Sequence, residues 1–315
     1  MKLGATFGKL LSGESIIREF LTIGINDDVR EKVYLRADDQ LLEVTRNQWL
    51  LSLDPRIIGI WSETPIPIAE RYTLFFRDTP AVSAKTAGDH ALSILKLDFV
   101  DRLVENNGNL FLFRVRSTVI HHIDSIRTRL LYRKFYKKPG VDFERLKAVA
   151  AAYTYPRRVR IISFQLEGNY NYIFPMDLLG DIKTSGRYLL GMRHSNQVLT
   201  KIMDIKKIVV AEAPGKYKPV IYQLGRNHST APPPLHELPF ATLPTREFGF
   251  FVPDWVESYK EITIDKTVDL GSHMLLCGQW KEEVQLKPAT PRMHHIHFLH
   301  FLYLKNKKLS YPIIP

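Results

Sequence analysis

Cysteine is all but absent. Cys277 is the only one in 315 residues, so no intrachain disulfide can form. Its apolar neighbours in "HMLLCGQW" predict a buried, unreactive thiol, which fits a reducing compartment. Long apolar runs are missing as well. The opening stretch, "MKLGATFGKLLSGESIIREFLTIG", carries Lys9, Glu14, Arg18 and Glu19, which argues against a signal peptide or a spanning helix there. The expectation is a cytoplasmic chain without a membrane partner. Gly-x-Ser-x-Gly, His-Glu-x-x-His and Gly-x-Gly-x-x-Gly do not occur either. Their absence removes the hydrolase elbow, the zincin helix and the usual dinucleotide fingerprint, and leaves the catalytic residues unassigned.

What is present is ordinary for a globular protein: 45% hydrophobic and 24% charged residues, in a chain long enough for about two domains. The formal charge of +11 attracts anions of every kind and selects none. Its densest cluster, "LLYRKFYKKPG" from Leu130, reads equally as a basic strand edge that resists edge-to-edge pairing. A nucleic-acid-binding β-barrel is one reading of charge and aromatics together, but no RRM-like aromatic pair marks a strand, so no nucleic-acid partner is expected. His294, His295, His297 and His300 crowd one segment, and on a strand His295 and His297 would share a face. No cysteine or carboxylate joins them at ligand spacing, and no metal site is expected.

The pattern is mostly that of strands. "LLEVTRNQWLLSLDPRIIGIWSE", "RYTLFFRD", "HALSILKLDFV", "GNLFLFRVRSTVI" and "TRLLYRKFY" are short, rich in β-branched and aromatic residues, and divided by turns such as "ENNGN". A helix is expected around "KPGVDFERLKAVAAAYTYPRRV", ending before Tyr155-Pro156 because the residue before proline is pushed out of helical geometry. The domain boundary is set there: a β-rich unit over 1–150 and a second over 151–315. The second unit starts with "RRVRIISFQLEG", a turn at Glu167-Gly168-Asn169, "YNYIFPMDLLGDI" and "GRYLLGMRHSN". A helix in "QVLTKIMDIKK" follows, with Val198, Leu199, Ile202 and Ile205 at helical spacing. After "IVVAEAP" and an amphipathic "YKPVIYQLG", eight of nineteen prolines fall between Pro214 and Pro253, which predicts a structured arm over 214–253. "SYKEITIDKTVDL", "GSHMLLCGQWKEEVQ" and "MHHIHFLHFLYL" read as the last strands.

Two motifs echo. Of seventeen glycines only Gly88 and Gly271 have histidine two places on, and the only His-His pairs, His121-His122 and His294-His295, both precede isoleucine in the same relative order. Coincidence and an old duplication are both open, the latter meaning two tandem barrel-like domains. In the second half the succession "YPRRVRIISF", "GNYNYIFPMDL", "YLLGMRHSN" before a helix, "LGSHMLLCGQW" and "HHIH…YLKNKKLSYP" resembles the flavin reductase-like family of FMN-binding split β-barrels. The resemblance covers about residues 150–315 and rests on the order of several weak motifs. The first half shares only Gly88-Asp89-His90 and its end near Tyr136, so it enters as a diverged copy.

The resemblance implies a mainly β fold and FMN as cofactor (FAD being the variant), with NADH or NADPH as reductant. It also implies a homodimer or internal pseudo-dimer, and a partner oxygenase as one electron acceptor. Arg193, His194, Ser195 and Asn196 would meet the phosphate near a helix start. Pro175 would interrupt a strand and leave the backbone of Phe174, Met176 and Asp177 free for the flavin ring, with Asn171 donating beside it. His273 would contact flavin or nicotinamide. Helix capping by Ser195 or Asn196, core packing by Phe174 and Met176, and a satisfied structural role for His273 stand beside these roles. At the middle position of Gly-x-His the family commonly has an acidic residue; Asp89 follows that pattern and Ser272 departs from it. The function implied is an NAD(P)H-dependent flavin reductase or related oxidoreductase, with a non-catalytic flavin-binding or interaction protein as the alternative.

Overall fold

The computed structural model describes residues 19–26, 28–81, 83–122, 125–136, 143–166, 170–225 and 232–315. The expected turn at Glu167-Gly168-Asn169 lies outside them. The fold is mainly β. After β1 (Phe20–Ile25) come β2 (Lys32–Ala37), β3 (Gln40–Glu43), β4 (Gln48–Leu53), β5 (Arg56–Ser62), β6 (Tyr72–Arg77), β7 (Ser93–Glu105) and β8 (Gly108–Ile120). These last seven form one antiparallel sheet in the order β3-β2-β6-β7-β8-β5-β4. β9 (Arg157–Arg158) leads to a second sheet of β10 (Arg160–Gln165), β11 (Asn171–Met176), β12 (Leu179–Ile182), β13 (Arg187–Arg193) and β14 (Lys207–Glu212). The arm contributes the hairpin of β15 (Thr242–Pro244) and β16 (Phe251–Pro253), and the second sheet resumes with β17 (Ser258–Asp269) and β18 (His273–Gln279). β19 (Glu283–Gln285) pairs with β17, and β20 (Arg292–His297) lies between β1 and β9.

The second sheet runs β11-β10-β14-β17-β18-β13-β12. Numbered by position along the chain, the main strands of both sheets therefore follow the same order, 2-1-5-6-7-4-3. The Gly-x-His echo does not coincide with this repeat. Gly88-Asp89-His90 precedes β7, the sixth strand, whereas His273 opens β18, the seventh.

Each sheet curls around its own core. Leu35, Leu50, Ile58, Phe76, Leu95 and Phe113 fill the first; Ile162, Phe164, Phe174, Leu190, Ile208 and Leu276 fill the second. In the second, Arg160 on β10 reaches Tyr188 Oη at 3.0 Å and Asp181 at 3.3 Å, joining strands that lie far apart along the sheet. A third cluster belongs to both: Leu51, Ile57, Trp61, Leu110 and Leu112 pack with Ile182, Leu189, Leu275 and Cys277. Cys277 is indeed buried, and burial pushes its thiol up to about 12.

The helices are α1 (Ser125–Leu131), continued by a π turn over Tyr132–Tyr136, α2 (Phe143–Ala152), α3 (Leu199–Ile205), α4 (Lys218–Leu224) and α5 (Phe298–Asn306). Two expected strands are thus helical. "TRLLYRKFY" forms the end of α1 and the π turn, and "FLHFLYL" after β20 forms α5. Both are short apolar runs whose period cannot separate strand from helix; packing against β1 and α2 decided them, with His297 accepting the Leu299 N–H at the start of α5. Among the described residues no helix is long and apolar enough to cross a membrane.

Candidate functional site

The two sheets meet where turns touch. Ser272, between β17 and β18, donates its N–H to Asp54 O at 2.6 Å, and the Asp54 N–H donates to Ser272 Oγ at 3.0 Å. Gly271 makes the approach feasible: its φ is +91°, and a Cβ there would lie 2.5 Å from Pro55 Cδ. Deeper in, β4 crosses β12, β13 and β18 so closely that a Cβ on Gly191 would lie 2.0 Å from Leu51 O. Ser272 is the side chain that pairs with the Asp54 N–H.

Beside this junction lies a cavity of about 1060 Å³, at the upper end of the about 300–1000 Å³ common for ligand pockets. Met176, Asp177, Leu178, Gly191, Arg193, His194, Ser195, Asn196, Ser272 and His273 line it from the second half. Glu19, Phe20, Leu53, Asp54, Arg145, Leu146, Val149 and Tyr153 line it from the first. Of the residues singled out in the sequence, Met176, Asp177, Arg193, His194, Ser195, Asn196 and His273 come together here. Asn171, Phe174 and Pro175 do not. Asn171 is buried, its Nδ2 donating to Phe251 O at 3.0 Å, and Phe174 belongs to the second core. Pro175 does not interrupt its strand: it sits opposite Ile161 in the β10–β11 ladder, on an edge strand where proline is tolerated.

His273 carries the clearest electrostatic signature. It is 1% exposed, and burial, then the charges of Arg193 and His194, push it down to about 4. Ser272 Oγ, already accepting from Asp54, lies 2.7 Å from His273 Nδ1, and the Leu53 N–H also points there at 3.5 Å. Nδ1 is therefore the acceptor, and the ring proton sits on Nε2. That Nε2 is buried with no hydrogen-bond partner among the described residues. Such an atom is a donor in want of an acceptor.

Around it, Arg193 ends β13 exposed, and Arg145 of α2 pairs with Asp54. His194 Nε2 lies 3.2 Å from Asp269. Asn196 Oδ1 accepts the Val198 N–H at 3.1 Å, shaping the turn before α3. Asp177 accepts from Tyr153 Oη at 2.7 Å and His295 Nδ1 at 2.8 Å. Burial would raise its carboxyl, but the bonds from His295 and Tyr153 and the nearby charge of Arg157 hold it below its ordinary value. The first-half wall was not legible in the sequence: "FERLKAVA" signals a helix and nothing of what its side chains face. Among the described residues no three His, Cys, Asp or Glu side chains gather as metal ligands. His294, His295, His297 and His300 serve Arg292 O, Asp177, the start of α5 and Glu31 instead.

No family model and no curated protein matches this chain. Among solved structures it is similar to the NADH:FAD oxidoreductase SgcE6 of Streptomyces globisporus, at 13% identity and a TM-score of 0.42, over 50% of this chain and 94% of that one. It is also similar to the flavin reductase component of a bacterial two-component tryptophan halogenase, at 8% and 0.41, over 48% and 96%. A third is the styrene monooxygenase flavin reductase of Pseudomonas putida, at 12% and 0.40, over 48% and 92%.

Proposed function

We propose that the chain binds a flavin, FMN or alternatively FAD, in the junction cavity and reduces it with NADH or NADPH, as an oxidoreductase of the flavin reductase type. One observation carries this. Seven residues taken from motifs spread between Met176 and His273 converge on a single cavity, and one of them, His273, has a buried Nε2 without a hydrogen-bond partner among the described residues. The residues fit the group. A flavin needs apolar walls for a flat ring, a few convergent donors and a cation for its phosphate. Met176, Leu146, Val149 and Leu178 offer the walls, His273 Nε2 the donor, and Arg193 the cation. Bound flavin supplies the redox chemistry, taking hydride from a nicotinamide and yielding electrons to oxygen, a small acceptor or a partner oxygenase. The protein's part is to orient and to exclude water. Neutral His273 can donate without adding a charge, and the Arg145–Asp54 pair holds the α2 wall against the β4–β5 turn.

The same reading makes residues 1–150 and 151–315 two tandem split-barrel-like units forming an internal pseudo-dimer. The common strand order supports it, as does reciprocity at the contact. At one junction the β4–β5 turn meets the β17–β18 turn; at the other, the start of β13 meets the end of β7, where Arg187 pairs with Glu105 at 3.1 Å and with Asp265. One flavin per chain is expected.

The test is the visible spectrum of purified protein loaded with FMN and freed of excess, followed by anaerobic NADH or NADPH. Retained flavin bands that bleach with either nucleotide support the reductase. Bands that bleach only with dithionite support flavin binding without turnover, and a chain that retains no flavin overturns the site.

A further inference from the structure

A line of hydrogen bonds leaves the cavity wall and ends at the protein surface. Asp177, in the link between β11 and β12, accepts His295 Nδ1 at 2.8 Å. His295, on β20, has its Nε2 2.6 Å from Tyr222 Oη on α4, the two rings stacked at 7°. Tyr222 is exposed, and its hydroxyl also bonds Thr22 Oγ1 on β1. Four elements far apart in sequence thus supply one continuous path.

The protons along it can be placed. Asp177 is held ionised and can only accept, so His295 carries its proton on Nδ1. In the neutral ring Nε2 is then the acceptor, and the Tyr222 hydroxyl donates to it. Having given its hydrogen inward, Tyr222 accepts from Thr22. With His295 neutral, every donor on the path points toward the cavity. A set of side chains packed for stability alone has no need of a common direction; a path that conducts protons does.

We infer that Asp177, His295 and Tyr222 form a proton relay between solvent and the cavity, an assignment that rests on the flavin reading above. Hydride transfer adds a negative charge to its acceptor, and away from bulk water that charge is costly until a proton follows. The relay supplies one. Tyr222 passes its hydroxyl proton to His295 Nε2, His295 passes the Nδ1 proton to Asp177, and Tyr222 is reprotonated from water. Asp177, now a neutral acid in the cavity wall, releases the proton to the ligand. The sum is one proton from solvent to cavity, with only O–H and N–H bonds exchanged and no electrons moved. The groups that set its energetics are Tyr153, which also donates to Asp177; Arg157, opposite His295 in the β9–β20 ladder; and Lys218, whose Nζ lies 6.0 Å from the Tyr222 ring centre.

Two measurements on the full chain test this. Without flavin, nitrogen-edited NMR of the His295 ring at neutral pH is expected to find the Nδ1–H form, with the Nε2 resonance shifting in Tyr222→Phe. An Nε2–H ring overturns the relay whether or not flavin binds. With FMN loaded, photoreduction beside a pH-indicator dye should show proton uptake in step with bleaching. Tyr222→Phe and His295→Ala should delay uptake about 10²-fold, the low end of what a positioned proton-transfer group contributes, and imidazole should restore it in His295→Ala. Uptake in step with bleaching in both variants overturns the relay. Failure to retain FMN overturns the flavin reading instead, and the NMR result then decides the relay alone.

Discussion

His273 is kept neutral by its surroundings, and this has a consequence for stability. Its folded value of about 4 lies below the 6.5 of an unperturbed imidazole, and buried His294 is held at about 3. Between pH 6.5 and those values the unfolded chain binds protons that the folded chain refuses, so stability rises with pH through that window. It is complete above about pH 6.5. Thermal melts are expected to show a falling midpoint as pH drops from 6.5 toward 4, with a shallower fall in His273→Gln. Ligand binding is expected to answer separately to Arg193. Arg193→Ala removes an exposed cation with no ion pair among the described residues and should weaken FMN retention about tenfold, the lower bound for a charge-assisted contact, with the melting midpoint unchanged. These residues were legible because "MRHSN" and "GSH" combine polar types that a plain strand does not need. Asn171, Phe174 and Pro175 do not line the cavity: the sequence places a proline in a strand-like run, but only the sheet shows that the strand is an edge, where proline leaves the ladder intact.

Among the elements, α2 and the two crossing glycines determine whether the cavity exists. Gly271→Ala would place a methyl against Pro55 in a backbone region that L-residues avoid. It is expected to lower the melting midpoint and the retained FMN together, since the Ser272–Asp54 bonds and the tautomer of His273 both depend on that turn. Val149→Trp acts on the opposite wall of the cavity. It should abolish FMN retention while leaving the far-ultraviolet circular dichroism intact, because Val149 is only half-buried; a retained flavin would remove α2 from the site. In the second sheet, buried Arg160 and Lys260 share the half-buried Asp181, Lys260 Nζ being 2.6 Å from it. Asp181→Ala leaves Arg160 with Glu212 and Lys260 with Glu283 as remaining carboxylates, and should cost about 1–3 kcal/mol of unfolding free energy, measured by denaturant titration. Strand existence was largely readable from β-branched and aromatic runs. The helical nature of α1 and α5 was not, because short apolar segments take the form of whatever buries them.

For the whole molecule, the third core decides behaviour. Leu51, Trp61 and Leu112 from one half and Leu189, Leu275 and Cys277 from the other are buried in one shared cluster. Residues 151–315 expressed alone would expose that face, and are expected to be insoluble or to associate, whereas the full chain should sediment as a monomer with one FMN bound. One FMN per two chains would contradict the internal pseudo-dimer, and two per chain would contradict the single site. By itself the sequence determined a β-rich chain with a helix before Pro156 and a cluster of unusual polar residues around Arg193 and His273, since these follow from local period, turn chemistry and residue type. Only the tertiary structure decided that both halves share one strand order, that α2 supplies the second wall, and that His295 and Tyr222 connect Asp177 to solvent. Strand order and long-range contacts depend on which surfaces bury each other, and that is a property of the packed whole.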